Sequence, residues 1–110
     1  MMLLQIYFEI TPDQDDSFRD MYLKQYAPAL QKQQGYLRSR LLRLFPTQVA
    51  AEIEARPTEF TYQMELEFDS EENRRRWVTS PEHSVLWPLA VSMARTVAWR
   101  GYDVVAANES

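Results

Sequence analysis

Phe68-Asp69-Ser70-Glu71-Glu72-Asn73-Arg74-Arg75-Arg76-Trp77-Val78-Thr79-Ser80-Pro81-Glu82-His83-Ser84-Val85-Leu86-Trp87-Pro88 decides the fold. This stretch follows the cleanest strand pattern in the chain and holds two helix starts in tandem. Asp69 or Ser70 can cap a helix that begins at Glu71. With Asp69 as N-cap, Glu72 stands at N3 and makes an imperfect capping box. Glu71 and Glu72 also suit the positive end of a helix dipole. Ser80 then caps a second helix with Pro81 at N1, where the missing N–H had no partner to lose. The spacing predicts a short helix, a break near Thr79 and a longer helix from Pro81. Asn73 and Trp77 are four apart and share one face of the short helix. Two of the three tryptophans and the only histidine fall in this stretch.

Just upstream, Phe60, Tyr62, Met64, Leu66 and Phe68 alternate with polar residues, which predicts a strand over Phe60–Phe68. Met2–Ile10 alternates in the same way, with an apolar face and a mixed face, as a central strand has. Thr11-Pro12-Asp13 opens a helix, with Thr11 as N-cap, Pro12 at N1, and Phe18, Met21, Tyr22, Tyr26, Ala29 and Leu30 as its buried stripe. Pro28 predicts a disturbance near Lys24 to Tyr26. Gly35 ends the helix. Tyr36–Phe45 reads as a strand whose Arg38, Arg40 and Arg43 suit an edge. Residues 46–58 read as an inserted connection with room for two helical turns. After Pro81, the apolar spacing Val85, Leu86, Leu89, Ala90, Met93, Ala94 and Val97 predicts one long helix, with a kink at Pro88. Trp99–Ala106 predicts the last strand.

The order is β-α-β-β-α-β over a single domain, residues 1–110. This is the α+β, ferredoxin-like pattern, a four-stranded antiparallel sheet with both helices on one face. The other face has no cover within the chain yet carries Leu3 and Tyr7, so a symmetric homodimer stacking two sheets is expected.

Composition narrows the chemistry. The chain has 110 residues, 45% hydrophobic and 25% charged, with a net charge of −4. A globular domain follows, without a general affinity for nucleic acid or anionic membrane. The absence of cysteine removes disulfides, thiolate catalysis and cysteine metal sites. No apolar run approaches the roughly 20 residues of a membrane span. Met1–Ile10 lacks a basic region and a cleavage site, so the cytoplasm is the expected compartment. One histidine and no His-Glu-x-x-His spacing leave no ligand set for a metal, and two glycines make no phosphate-cradling loop. Arg74-Arg75-Arg76 reads as a solvated face. Tyr7, Tyr22, Tyr26 and Trp87 read as core residues or as the lining of a cavity.

The strand Phe60–Phe68, then Asp69-Ser70-Glu71-Glu72 and Trp77, then Ser80-Pro81-Glu82-His83 and Trp87, and finally Tyr102-Asp103-Val104-Val105, resembles the antibiotic biosynthesis monooxygenase superfamily. Gly35-Tyr36-Leu37 matches the family's opening of the second strand. The resemblance spans nearly the whole chain except residues 46–58, and it implies a dimeric α/β barrel. Some relatives turn polycyclic phenols into quinones without metal, flavin or haem, using an Asn and a Trp four apart together with tyrosines. Asn73 and Trp77 match that pair, Tyr62 matches a strand tyrosine, and His83 replaces a second tyrosine. The arginine of that site has two neighbours as candidates, Arg95 and Arg100. The resemblance does not reach the haem-degrading members, because Trp87 stands at their histidine position and the first strand has no asparagine.

The resemblance thus implies a cofactor-free monooxygenase acting on a small aromatic or polyketide-like substrate, with His83, Asn73, Trp77 and Tyr62 around one apolar pocket of roughly 300–1,000 Å³. His83 would be the proton acceptor, Asn73 would hold a substrate oxygen and Trp77 would wall the ring. Two alternatives stay open at this point. One is a non-catalytic dimeric module for a small hydrophobic molecule; the other is an isomerase or decarboxylase on the same fold.

Overall fold

The computed structural model describes residues 1–109. Four strands, β1 (Met2–Ile10), β2 (Tyr36–Arg43), β3 (Tyr62–Phe68) and β4 (Ala94–Asp103), form one antiparallel sheet in the order β2-β3-β1-β4. β1 is central, as its two apolar-bearing faces require, and β2 is an edge strand, as its arginines suggested. Met2, Ile6, Phe8 and Ile10 are buried from β1, and Met64, Leu66 and Phe68 from β3. Leu4 packs half-buried beside them.

The first helical region is a 3-10 turn, Pro12–Gln14, followed by α1 (Asp15–Met21), a π-helical turn (Tyr22–Tyr26) and α2 (Ala27–Gln31). Thr11 is extended but makes no side-chain cap, because its hydroxyl turns to Asp13. The disturbance expected from Pro28 falls where expected and takes the form of the π turn. Proline cannot donate to the carbonyl four residues back and its ring crowds that group. Here the Ala27 N–H reaches back five residues to the Tyr22 carbonyl instead. The wider turn lets Phe18, Met21, Tyr22, Tyr26, Ala29 and Leu30 all face the sheet, and all are buried.

Gly35 has φ +77°, and a Cβ there would stand 2.4 Å from both Asn73 Nδ2 and Asp69 Oδ1. Backbone conformation and close approach therefore both demand glycine at this turn. Residues 46–58 carry a short helix, α3 (Thr47–Glu52), so the helical option for this insertion is the one realised.

The second helical region is α4 (Glu71–Val78) and α5 (Pro81–Ser92). Of the two possible caps for α4, Ser70 is the one used: its Oγ accepts the Asn73 N–H at 3.1 Å. The Asp69–Glu72 capping box does not form. Asp69 accepts from Asn73 Nδ2 at 2.8 Å, and Glu72 pairs with Arg76. Ser80 caps α5 by accepting from the His83 N–H at 3.2 Å, and its hydroxyl donates to the Trp77 carbonyl at 2.7 Å. One serine thus closes α4 and opens α5.

Several boundaries differ from the sequence reading. α5 stops at Ser92, so Ala94 and Val97 belong to β4, which runs over Ala94–Asp103 rather than Trp99–Ala106. The run Met93–Val97 fits either period, and pairing of Ala94 with Ile10, past an extra residue in β4 opposite Phe8–Ile10, decides for the strand. β2 ends at Arg43 and β3 begins at Tyr62, each a little short of the alternating pattern.

The uncovered sheet face is more polar than the alternation on β1 suggested. Glu65 and Glu67 are buried there, paired with Arg40 and Arg38 of the edge strand. Gln5 and Gln63 also donate to Glu65. Leu3, Tyr7, Leu42 and Tyr102 share this face by register. No helix among the described residues is long and apolar enough to cross a membrane.

Candidate functional site

α4, α5, the π turn and β4 enclose a cleft of about 200 Å³ lined by Leu4, Ile6, Tyr26, Arg74, Trp77, Val78, His83, Trp87 and Trp99. All three tryptophans of the chain line it. Trp77 is buried, Trp87 is half-buried, and Trp99 is 60% exposed. The aromatic contacts are continuous: Tyr26 meets Trp77 edge-on at 5.7 Å, Trp77 meets His83 edge-on at 5.1 Å, His83 stacks on Trp87 at 6.1 Å, and Trp87 meets Trp99 edge-on at 5.7 Å.

His83 reaches this position because Ser80 and Pro81 start α5 there. Burial is the main influence on its imidazole and Arg74 the second; both hold its pKa below the ordinary value of a histidine. The neutral ring, with a free nitrogen lone pair, is therefore favoured at neutral pH. Arg74 lines the cleft with most of its side chain covered, and its Nε donates to Glu71 Oε2 at 2.8 Å. Tyr26 is fully buried, and its hydroxyl has no hydrogen-bond partner among the described residues. Burial pushes that phenol well above the ordinary tyrosine range.

Of the four residues singled out from the sequence, the structure brings together Trp77 and His83. Asn73 is committed to Asp69 and packs against the Gly35 turn. Tyr62 points to the other end of the helical layer, where its hydroxyl donates to Asp15 Oδ1 at 2.7 Å and its ring meets Phe18 at 5.3 Å. Burial first and the Asp15 carboxylate second raise its phenol pKa, so it is protonated at neutral pH. The cleft is also smaller than the expected pocket. Of the arginine candidates, Arg95 does not line the cleft and Arg100 lines a depression on the other side of the sheet, while Arg74 occupies the cleft. Arg74 belongs to a basic run that reads as solvated, and its low exposure distinguishes it from Arg75 and Arg76.

A wider depression of about 560 Å³ lies beside the open sheet face, lined by Tyr7, Arg43, Phe60, Tyr62 and Arg100 among others. Several of its polar groups are engaged by side chains outside it: Tyr7 with Gln5, and Tyr62 and Arg43 with Asp15. The tryptophan cleft instead holds a desolvated imidazole and an unpaired buried hydroxyl, which marks it as the stronger candidate. Among the described residues, no group of three or more His, Cys, Asp or Glu side chains is placed to hold a metal ion.

The family model for antibiotic biosynthesis monooxygenases matches residues 1–86. The chain belongs to that family. Its fold is shared with SnoaB, a cofactor-independent oxygenase of Streptomyces nogalater crystallised in a mutant form, at 13% identity and a TM-score of 0.71 over 96% of this chain and 93% of that one. An ethyl tert-butyl ether d (EthD) family protein of Bacillus halodurans gives 17% identity and a TM-score of 0.66 over 94% and 98%. MhuD, crystallised in a mutant form with two manganese protoporphyrin IX bound per active site, gives 15% identity and a TM-score of 0.71 over the whole of both chains. No curated protein matches the sequence.

Proposed function

We propose that this family member is a monooxygenase that oxidises a small phenolic aromatic with O2 in the tryptophan cleft, with His83 as the proton acceptor. The observation that carries the proposal is a single imidazole, desolvated and neutral, held between two indoles at the wall of an apolar cleft. A phenol and one O2 give a quinone and one water. The electrons come from the substrate, so the step needs no flavin, haem or metal from the protein. SnoaB, a cofactor-independent oxygenase of the same fold, supports that reading.

In this scheme His83 takes the phenolic proton, and the Arg74 guanidinium, though shared with Glu71, favours the phenolate that results. Trp77, Trp87 and Trp99 hold the ring and keep water away. Asn73 and Tyr62 act at one remove. Asn73 fixes the start of the helix that carries Trp77, and Tyr62 ties the first helix to the sheet through Asp15. The chain works as a homodimer through its uncovered sheet face, where Leu3, Tyr7, Leu42 and Tyr102 offer apolar area and Glu65 and Glu67 are already neutralised by their own arginines.

Oxygen uptake with a panel of phenols and anthrones, in the presence of a chelator, tests the proposal. One O2 consumed per quinone formed is the expected result. Ligand binding without any uptake would replace it with the non-catalytic module. Turnover that continues without oxygen would replace it with an isomerase or decarboxylase.

A further inference from the structure

The π turn carries two buried tyrosines that differ in one respect. Tyr22 shares a hydrogen bond with Ser39 Oγ at 2.6 Å. Tyr26, four residues on, lines the tryptophan cleft with its hydroxyl buried and unpaired. A buried hydroxyl without a partner is a standing cost to the fold, and such groups are rare in native proteins. Phenylalanine would fill the same space without that cost. A π turn is itself a less favourable helix geometry and recurs at functional sites. Both features fall on one residue among those that line the cleft.

We propose that Tyr26 is the specificity-determining residue of this cleft, its hydroxyl donating a hydrogen bond to a carbonyl oxygen on a flat aromatic ligand. The inference rests on the cleft being the ligand site, as proposed above, and adds what the ligand must carry. The Tyr26 phenol stays protonated, so it serves as a donor and leaves proton removal to His83. Both rings lie against the Trp77 indole, at 5.7 and 5.1 Å between centroids, and both residues line the same cleft. Without an acceptor on the ligand, binding would keep the hydroxyl unpaired. A site built to hydrogen-bond one group rejects the analogue lacking it far more strongly than an apolar wall distinguishes two shapes.

Two probes of matched shape test this. 1-Indanone has an aryl carbonyl and indane has none. Each is titrated into the ¹⁵N-labelled chain while the three tryptophan indole N–H resonances are followed, all of which report on the cleft. Wild type is expected to bind 1-indanone about tenfold more tightly than indane, the worth of one net hydrogen bond. Tyr26→Phe is expected to bring the two affinities together by weakening 1-indanone alone, with a Tm equal to or above wild type. Tyr22→Phe, which loses the bond to Ser39, is expected to melt lower and to keep the wild-type ratio.

Equal binding of both probes by wild type, or a ratio unchanged in Tyr26→Phe, would overturn the role of Tyr26 and leave the cleft as a ligand site. A lower Tm for Tyr26→Phe would show that its hydroxyl is partnered in the free protein and would equally overturn it. No response of the indole resonances to either probe would overturn the cleft itself, and the proposed function with it.

Discussion

His83 has one ring neighbour edge-on, Trp77, and one stacked, Trp87. Burial and then Arg74 lower its pKa in the folded chain. As pH falls through the ordinary histidine value of about 6.5, the unfolded chain takes up the proton first, so the folded state loses stability. The loss stops growing below the folded pKa, and above about 6.5 it is absent. His83→Gln is expected to flatten that part of the stability curve, which urea unfolding at a series of pH values between about 5 and about 8 would measure. The catalytic counterpart is an acid limb in kcat/KM with an apparent pKa below that of free histidine. The sequence already placed His83 at the third position of a capped helix, because Ser80 and Pro81 are local signals. It did not show Arg74 as the neighbour, nor Tyr26 as unpaired, since both depend on which element comes to rest beside which. Asn73 shows the same limit. Its four-residue spacing to Trp77 is legible, but its bond to Asp69 is fixed by the approach of the Gly35 turn from a distant part of the chain.

At the scale of elements, the junction between α4 and α5 depends on one serine. Ser80 accepts from the His83 backbone and donates to the Trp77 carbonyl. Ser80→Ala removes both bonds and is expected to cost about 1–2 kcal/mol in urea unfolding, with the His83 ring losing its fixed position and oxygen uptake falling with it. Ser70→Ala removes a cap of the ordinary kind and is expected to cost about 1 kcal/mol while leaving the cleft resonances in place. Gly35→Ala faces both a positive φ and the Asn73 and Asp69 side chains, so more than about 1 kcal/mol is expected to be lost. The elements themselves were legible wherever period and punctuation agreed, as in β1 and at the Ser80 cap, whereas Asp69 and Ser70 stood as alternatives for the cap of α4. Elements were misjudged where an apolar run fits two periods. Met93 to Val97 continues the helical spacing of α5, and only pairing with β1 makes it strand. The π turn was legible as a disturbance from Pro28, but its form depends on burying Tyr22 and Tyr26 together.

For the whole molecule, a sheet covered on one side leaves the other to be explained. Its central polar groups are paired within the chain, Glu65 with Arg40 and Glu67 with Arg38, so a second copy docking there would meet a neutralised ladder flanked by apolar side chains. Sedimentation at micromolar concentration is expected to give twice the 13.0 kDa mass of one chain. Leu3→Glu, which adds a carboxylate opposite Glu67, is expected to return the monomer. The order of elements and the empty face were visible in the alternation of the strands. The polarity of that face was not, because the register of β2 on β3 is what brings each arginine to its glutamate. We infer that the tryptophan cleft performs oxygen-dependent chemistry through His83. Oxygen uptake by wild type and His83→Gln, with one phenol and with the indole resonances showing the cleft intact, tests it most directly. A loss of about a hundredfold or more in the variant, with substrate binding retained, is the expected result. Equal uptake by the two proteins would rule out His83 as the proton acceptor.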